Sequence, residues 1–202
     1  WTLIIVGIIA GTALGGLCKE TAILTPLFAI VLDWFFYAPQ GLTAGSRKKL
    51  HAIYAALVMM SASIAGYWIL DGYGNVVSVY AVRDFEPITR LMTQARVLFF
   101  YLGLIVVPNI RRYGLFHDDL APSVGFMTPI STAVSLLAWL LVFVIVWRGT
   151  MRQRLWAFGP VWFLLGHSIE STILGLELVH EHRNYLPSFG IVFLVAALSV
   201  TH

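Results

Sequence analysis

The feature that most constrains this chain is a set of long stretches without a charged residue. Four such stretches cover residues 1–18, 52–70, 121–147 and 184–202. Each is near or above the roughly 18–20 apolar residues that a helix needs to cross a bilayer. Charged residues make up only 11% of the chain, whereas soluble domains carry roughly a quarter. The pattern predicts an all-α, polytopic membrane protein and excludes a soluble enzyme, a disordered chain and a disulfide scaffold.

Six membrane helices are predicted from the apolar segments, at residues 1–17, 21–37, 52–70, 126–147, 155–174 and 190–202. The first begins at Trp1 without a Met or a basic segment, so it is not predicted to be a signal peptide. The last stops short of a full span. We therefore expect both end helices to be truncated. Residues 1–202 are expected to form a single transmembrane domain, an internal piece of a larger membrane protein with no separate soluble domain.

Basic residues in two short loops predict the orientation. Neither loop contains an acid, and their basic residues are Arg47, Lys48, Lys49, Arg148, Arg152 and Arg154. Short basic loops lie on the cytoplasmic side, which places residues 71–125 outside. Within them, residues 97–110 are apolar but too short to span, and Pro108 would end a helix. We expect an interfacial or re-entrant helix there.

The remaining composition adds little beyond topology. A net charge of +3 and a pI of 9.2 are explained by loop placement rather than by nucleic-acid binding. Cys18 is the single cysteine, so no internal disulfide can form.

The first polar cluster on the predicted outer face is the turn at residues 18–22. Lys19 and Glu20 lie between two apolar helices. An anion beside Lys19 would be stabilised by unpaired N–H groups at the start of the next helix. Alternatively, Lys19 extends to the membrane interface and Glu20 completes the helix start.

The second cluster covers residues 180–188. Arg183 offers a bidentate donor for a phosphate, and Tyr185 adds a hydroxyl. Glu181 and His182 are candidates for proton transfer. The alternative is an ordinary interfacial loop, since His, Arg and Tyr are common at headgroup level. A metal site is the weakest interpretation, with His180 and His182 joined by His117 or Asp118.

The third cluster leads into the short apolar segment. Arg90, Thr93 and Arg96 share one side of a predicted helix. Such a basic face can bind a substrate phosphate or lipid headgroups. Further along, Asp118 and its neighbour Asp119 are either a catalytic acid pair or a turn before Pro122.

Two acids lie in or near the fifth predicted helix. Glu170 and Glu177 follow His167 toward its outer end. Acids at membrane depth are functional candidates, with an Arg or Lys as the expected partner.

Three segments resemble motifs of one enzyme family. Residues 18–22 (CKETA) are similar to the S-K-E-x-A signature of GT-C-fold glycosyltransferases of the transmembrane and tetratricopeptide-repeat O-mannosyltransferase type, with Cys18 in place of Ser. Residues 90–101 (RLMTQARVLFFY), with Pro108, resemble its L-T-Q-x-R-V…Y…P segment. Residues 182–188 (HRNYLPS) resemble its E-H-R-x-Y-L-P-S motif. The three occur in the family's order and span most of the chain.

The resemblance implies a GT-C-like bundle in a bacterial inner membrane, active on the periplasmic face. It implies transfer of a sugar from a polyprenyl-phosphate donor to an acceptor hydroxyl on a protein or glycan. Lys19 and Arg183 would neutralise the phosphate, aided by Tyr185, Arg90 and Arg96. Glu20, Glu181 and His182 would orient those cations or the acceptor. The main acidic base would precede Trp1. No cofactor is implied beyond the donor, and the residues leave a divalent metal open.

Two other functions are considered from the residues. An O-antigen ligase or polymerase also has outer loops rich in histidine, but the lysine–glutamate turn and the residues 93–97 fit it poorly. A transporter needs polar groups along a path near the bilayer centre. The polar residues gather at one interface instead, which favours an enzyme.

Overall fold

The computed structural model describes residues 2–37, 43–83, 85–114, 117, 120–148 and 154–200. Within these ranges the regular structure is helical, apart from one isolated bridge between Gly125 and Thr128. The chain divides into two compact units, Trp1–Gly74 and Asn75–His202, which are described separately. Four described helices are long and apolar enough to cross a membrane: Glu20–Tyr37, Ala44–Tyr67, Pro87–Val106 and Ile130–Arg148. These helices suggest a membrane protein, as the uncharged stretches predict.

The first unit is built from apolar helices joined by tight connections. Its helices are α1 (Thr2–Gly16), a 3₁₀ turn (Glu20–Leu24), α2 (Thr25–Leu32), a π turn (Asp33–Tyr37) and α3 (Ala44–Tyr80), which continues into the second unit. The structure confirms helices at the predicted segments 1–17 and 21–37, of which the second is one of the four long enough to cross a membrane, and 52–70 lies within α3. A Cβ at Gly15 would lie 2.7 Å from Ala22 Cβ, so the turn between α1 and α2 requires a glycine there.

Polar side chains connect α3 to the preceding segment of this unit. The Ser61 hydroxyl donates to the Ile23 carbonyl at 3.0 Å, and the Tyr54 hydroxyl donates to the Asp33 carboxylate. Because buried polar atoms cost free energy when they are left unpaired, these hydrogen bonds stabilise the position of α3 beside Glu20–Tyr37.

The second unit contains the remaining helices. After the end of α3 they are α4 (Pro87–Val106), a 3₁₀ turn (Ile110–Arg112), α5 (Ile130–Arg148), α6 (Arg154–His167), a 3₁₀ turn (Glu181–Asn184) and α7 (Tyr185–Val200). Its core joins α4, α6 and α7 through the buried side chains of Val97, Tyr101, Leu104, Phe163, Val179 and Ile191.

Glycines bring α6 and α7 into close contact. A Cβ at Gly190 would lie 2.7 Å from Trp162 Cβ and 2.9 Å from the Gly159 carbonyl oxygen. A Cβ at Gly166 would lie 2.6 Å from Pro187 Cγ. Small residues at a helix contact are typical of membrane helices, whose association depends on close packing.

The prediction of a short helix at residues 97–110 is wrong. These residues up to Val106 belong to α4, which starts at Pro87 and has 20 residues. Glu86 and Thr89 form a capping box, and Pro87 occupies a first-turn position where its missing N–H costs nothing. The helix therefore begins at this cap rather than at the first apolar run.

Helices α4 and α5 begin at the same end of the second unit. Ser123 bonds Thr93 near the start of α4 and Thr132 near the start of α5. Farther along, the Trp139 indole donates to the Ala95 carbonyl at 3.0 Å. The two helices thus run in the same general direction, and the described residues between them return toward the end of the unit where α4 begins.

The predicted helix at residues 155–174 is also too long. Helix α6 ends at His167, and the next residues form turns, bends and irregular chain. The carbonyls of Glu170 and Thr172 accept hydrogen bonds from the Arg90 guanidinium. The polypeptide leaves the helix because these carbonyls bond a side chain of α4 instead of N–H groups farther along.

Candidate functional site

Arg90 is the centre of the contact between α4 and the segment at residues 170–178. Its side chain has 0% exposure. It donates to four backbone carbonyls: Glu170 at 2.9 Å, Thr172 at 2.9 Å, Leu176 at 2.5 Å and Glu177 at 3.3 Å. A buried guanidinium satisfied in this way orders a segment of chain. We therefore interpret Arg90 as a structural residue rather than a direct phosphate ligand.

Arg183 lies beside the same segment and is 8% exposed. Its Nε is 3.3 Å from the Glu170 carboxylate, and its Nη1 donates to the Glu177 carbonyl at 2.8 Å. The Glu177 carboxylate in turn pairs with Arg83 at 2.7 Å. Glu170 and Glu177 thus both have the arginine partners that the sequence predicts. Arg183 is a buried cation with a local counter-charge.

Tyr101 connects α4 to the second polar cluster. Its hydroxyl accepts from the His180 N–H at 2.7 Å and donates to the His180 carbonyl at 3.2 Å. The His180 and His182 rings have centroids 3.8 Å apart. Burial lowers the pKa of His180, with further contributions from His182 and Arg183. His180 is therefore favoured in its neutral form.

Glu181 binds the connection that follows α4. Its Oε1 accepts from the Gly114 N–H and lies at hydrogen-bond distance from His117 Nε2, both at 2.9 Å. The side chains of His117 and Glu181 are 11% and 22% exposed. One carboxylate oxygen thus holds Gly114 and His117 against the 3₁₀ turn Glu181–Asn184.

A pocket of about 290 Å³ lies beside Glu181. Its lining divides into an apolar side and a polar side. The apolar side consists of Leu104, Ile105, Pro108 and Val192. The polar side consists of Tyr113, Glu181, Asn184, Tyr185 and Ser188. Such a pocket is suited to an amphiphilic ligand with hydroxyl groups, because the two kinds of lining can contact its two ends.

Three other predicted site residues lie in the second unit. Arg96 is half-buried and donates to the Ala121 carbonyl at 2.8 Å and to Ser123 Oγ at 3.3 Å. It thus holds residues 121–123 against α4. His182 is exposed. Tyr185 is 89% exposed and lines the pocket. Only Tyr185 joins Glu181 in the pocket lining.

Lys19 and Glu20 belong to the first unit and are exposed. Lys19 has extended backbone and precedes the 3₁₀ turn that Glu20 begins. This placement agrees with the predicted turn between two apolar helices. The remaining predicted residue, Asp118, lies outside the described residues.

The metal interpretation of the second polar cluster requires a third ligand beside His180 and His182. Within the part of the chain that the structure describes, no group of three His, Cys, Asp or Glu side chains could hold a metal ion. His117 bonds the Glu181 carboxylate.

Sequence reasoning missed Tyr113 and Asn184 as pocket residues and gave His117 only a metal role. Tyr113 donates from its hydroxyl to the Leu104 carbonyl at 3.1 Å, and no motif marks it. Asn184 lies inside the second cluster, where its polarity beside Tyr185 was an available signal. The contact of His117 with Glu181 joins residues 64 positions apart, which no local pattern indicates.

No family model, curated protein or solved structure matches the chain. The resemblance to the O-mannosyltransferase family therefore rests on the three motifs. Two of them, at residues 90–101 and 182–188, lie in the second unit. Tyr101, at the end of residues 90–101, is hydrogen-bonded to the backbone of His180, which begins the polar cluster that contains residues 182–188.

Proposed function

We propose that this chain is part of a membrane glycosyltransferase that uses a polyprenyl-phosphate-linked sugar as donor. The observation that supports it best is the contact between α4 and the segment leading into Glu181–Asn184. The side chains of Arg90, Gln94 and Tyr101 all bond backbone atoms of residues 170–180. Two segments that resemble motifs of one enzyme family are thus parts of one arrangement beside a pocket.

The pocket provides the two environments that such a donor requires. Leu104, Ile105 and Val192 form an apolar wall suited to the first isoprene units. Glu181, Asn184 and other polar side chains surround the opposite side, where sugar hydroxyls would find hydrogen-bond partners. Specific binding then depends on these few polar groups, as in most ligand pockets.

The proposed reaction is a displacement at the anomeric carbon of the sugar. The acceptor hydroxyl oxygen forms the new bond to this carbon, and the bond to the phosphate oxygen breaks. Its electron pair leaves with the polyprenyl phosphate, while the hydroxyl proton passes to a basic carboxylate that the resemblance places before Trp1. The role proposed for Lys19, an exposed cation, is to stabilise the negative charge that develops on the leaving phosphate.

The experiment that tests this function compares Lys19→Ala with an exposed arginine variant, Arg111→Ala, in the full-length protein in membranes. Loss of an electrostatic stabiliser lowers a rate by about 10²–10³-fold. We expect that loss of sugar transfer for Lys19→Ala and little change for Arg111→Ala. Because Lys19 is exposed, the variant is expected to insert and fold normally.

Arg183→Ala tests the arrangement beside the pocket. We expect it to abolish transfer, because the bonds of Arg183 to Glu170 and Glu177 hold the segment that leads into Glu181–Asn184. Arg183→Lys keeps the charge and serves as its matched variant, with partial transfer expected. Normal transfer by Lys19→Ala would contradict the proposed phosphate role, and normal transfer by Arg183→Ala would show that transfer does not need this arrangement.

A further inference from the structure

The carboxylate of Glu181 is held by one of its two oxygens. Oε1 takes both bonds that the structure shows, from the Gly114 N–H and with His117 Nε2. Among the described residues, Oε2 has no hydrogen-bond partner, while Glu181 itself lines the pocket. A carboxylate oxygen accepts hydrogen bonds only, so a ligand bound there must donate one.

His117 determines how Glu181 is held. Its ring packs edge-on against Phe100, with centroids 5.3 Å apart, and is largely buried. A neutral histidine that bonds a carboxylate through Nε2 does so as the Nε2–H tautomer. His117 then donates to Oε1 together with Gly114. Two donors on one oxygen restrict rotation of the carboxylate and also fix the chain that carries Tyr113.

The volume of the pocket beside the Glu181 carboxylate indicates the size of ligand that it can receive. About 290 Å³ lies at the lower end of ligand pockets, which commonly measure about 300–1,000 Å³. This space can receive one sugar ring with the adjoining part of a chain. Tyr113, Asn184 and Ser188 add further hydrogen-bonding groups around the same space.

We infer that Glu181 accepts a hydrogen bond from a hydroxyl of the donor's sugar ring through Oε2, and that His117 is the residue that positions it. This inference rests on the proposed function and deepens it, because it assigns sugar recognition to a named pair. Recognition of a hydroxyl by a half-buried acceptor discriminates against a ligand without it, since the acceptor is then left unpaired in the occupied pocket.

Binding of two lipids to the full-length protein in nanodiscs tests the sugar contact. The probes are a polyprenyl-phosphate-linked sugar and the same polyprenyl phosphate without the sugar. For Glu181→Gln and His117→Ala we expect about tenfold weaker binding of the sugar-bearing lipid and about twofold or less change for the other. His117→Gln keeps a donor near the Nε2 position, so it should retain most of the affinity.

Two variants serve as matched controls for this measurement. His51→Ala removes an exposed histidine of α3, and Glu177→Gln neutralises a carboxylate that is 63% exposed and outside the pocket lining. Neither should change the binding of either lipid. Equal losses for both lipids in Glu181→Gln and His117→Ala, or no loss at all, would overturn the sugar contact.

Amide hydrogen exchange of the ligand-free protein tests the positioning role independently of any substrate. The Gly114 N–H is bonded to Glu181, so Glu181→Ala and His117→Ala should both raise its exchange rate, whereas His51→Ala should not. Unchanged exchange in both variants would refute the positioning role. If wild-type protein binds neither lipid, the proposed function and the sugar contact fail together, while the exchange result still decides the role of His117.

Discussion

Two contacts within the second unit are held together in opposite ways. Where α4 meets residues 170–178, the side chains of Arg90 and Gln94 donate to backbone carbonyls. Where α6 meets α7, glycines at 159 and 190 allow the backbones to approach until a Cβ would not fit. The first contact depends on a specific charged donor, and the second depends on the absence of side-chain atoms.

The difference explains where polar residues can lie in so apolar a chain. Buried carbonyls outside a regular helix cost free energy unless a donor reaches them. Arg90 supplies several donors at once, which allows residues 170–177 to leave the helical conformation. The glycine contact needs no such donor because Gly159 and Gly190 both lie inside helices, where their carbonyls accept from N–H groups of the same helix.

The largest expected effect is the loss of the Arg90 donors. Arg90→Met should lower the free energy of unfolding by about 4 kcal/mol, because several buried carbonyls lose a charged partner. Arg90→Lys should lose about 2 kcal/mol, since an ammonium cannot reproduce the planar array of donors. Unfolding by SDS titration in mixed micelles measures both values.

Arg111 provides the matched control for this substitution. It is exposed in the 3₁₀ turn Ile110–Arg112, so Arg111→Lys should change stability by less than about 0.5 kcal/mol. An Arg90→Met protein as stable as Arg111→Lys would show that the carbonyl contacts of residues 170–177 do not depend on this side chain.

The second effect concerns the glycine contact. Gly190→Ala should destabilise the protein by about 1–3 kcal/mol, because the new Cβ meets Trp162 Cβ and the Gly159 carbonyl, which cannot both move away. Gly11→Ala is the matched control, since nothing lies within 4 Å of a Cβ at that position of α1. There alanine should stabilise by about 0.5–1 kcal/mol through helix propensity. Equal effects of the two substitutions would disprove the steric explanation.

Much of the helical fold could be predicted from the sequence. Uncharged apolar stretches are a local property, so α1, the segment Glu20–Tyr37 and α5 fall where the hydropathy predicts them. The start of α4 and the end of α6 could not be obtained in this way. The first depends on the capping box at Glu86. The second depends on hydrogen bonds from Arg90 to carbonyls that lie 80 to 87 positions later in the sequence.

The site was predictable only as a set of residue types. Glu170 and Glu177 were expected to pair with basic residues, and both do. The motif residues Arg90 and Arg183 were expected to face a phosphate, yet both are buried against the protein's own carbonyls or carboxylate. Sequence identifies a cation but not its partner, because the partner is brought near by the fold.

The smallest expected effect is at Gln94, which sharpens the contrast with Arg90. Gln94 is 2% exposed, and its Nε2 donates to the Leu178 carbonyl at 2.9 Å. Its Oε1 is buried without a hydrogen-bond partner among the described residues. The side chain therefore gains one hydrogen bond and bears the desolvation cost of one unpaired oxygen.

Gln94→Met removes both the hydrogen bond and the unpaired oxygen, because methionine has similar volume and no strong polar group. Loss of the bond should destabilise by about 1 kcal/mol, and removal of the unpaired oxygen should recover a comparable amount. The free energy of unfolding should thus stay within about 1 kcal/mol of wild type. Gln94→Leu gives a second apolar variant for the same SDS titration. A loss as large as that of Arg90→Met in both variants would mean that Gln94 Oε1 has a bonding partner in the folded protein, and that the two residues stabilise the contact equally.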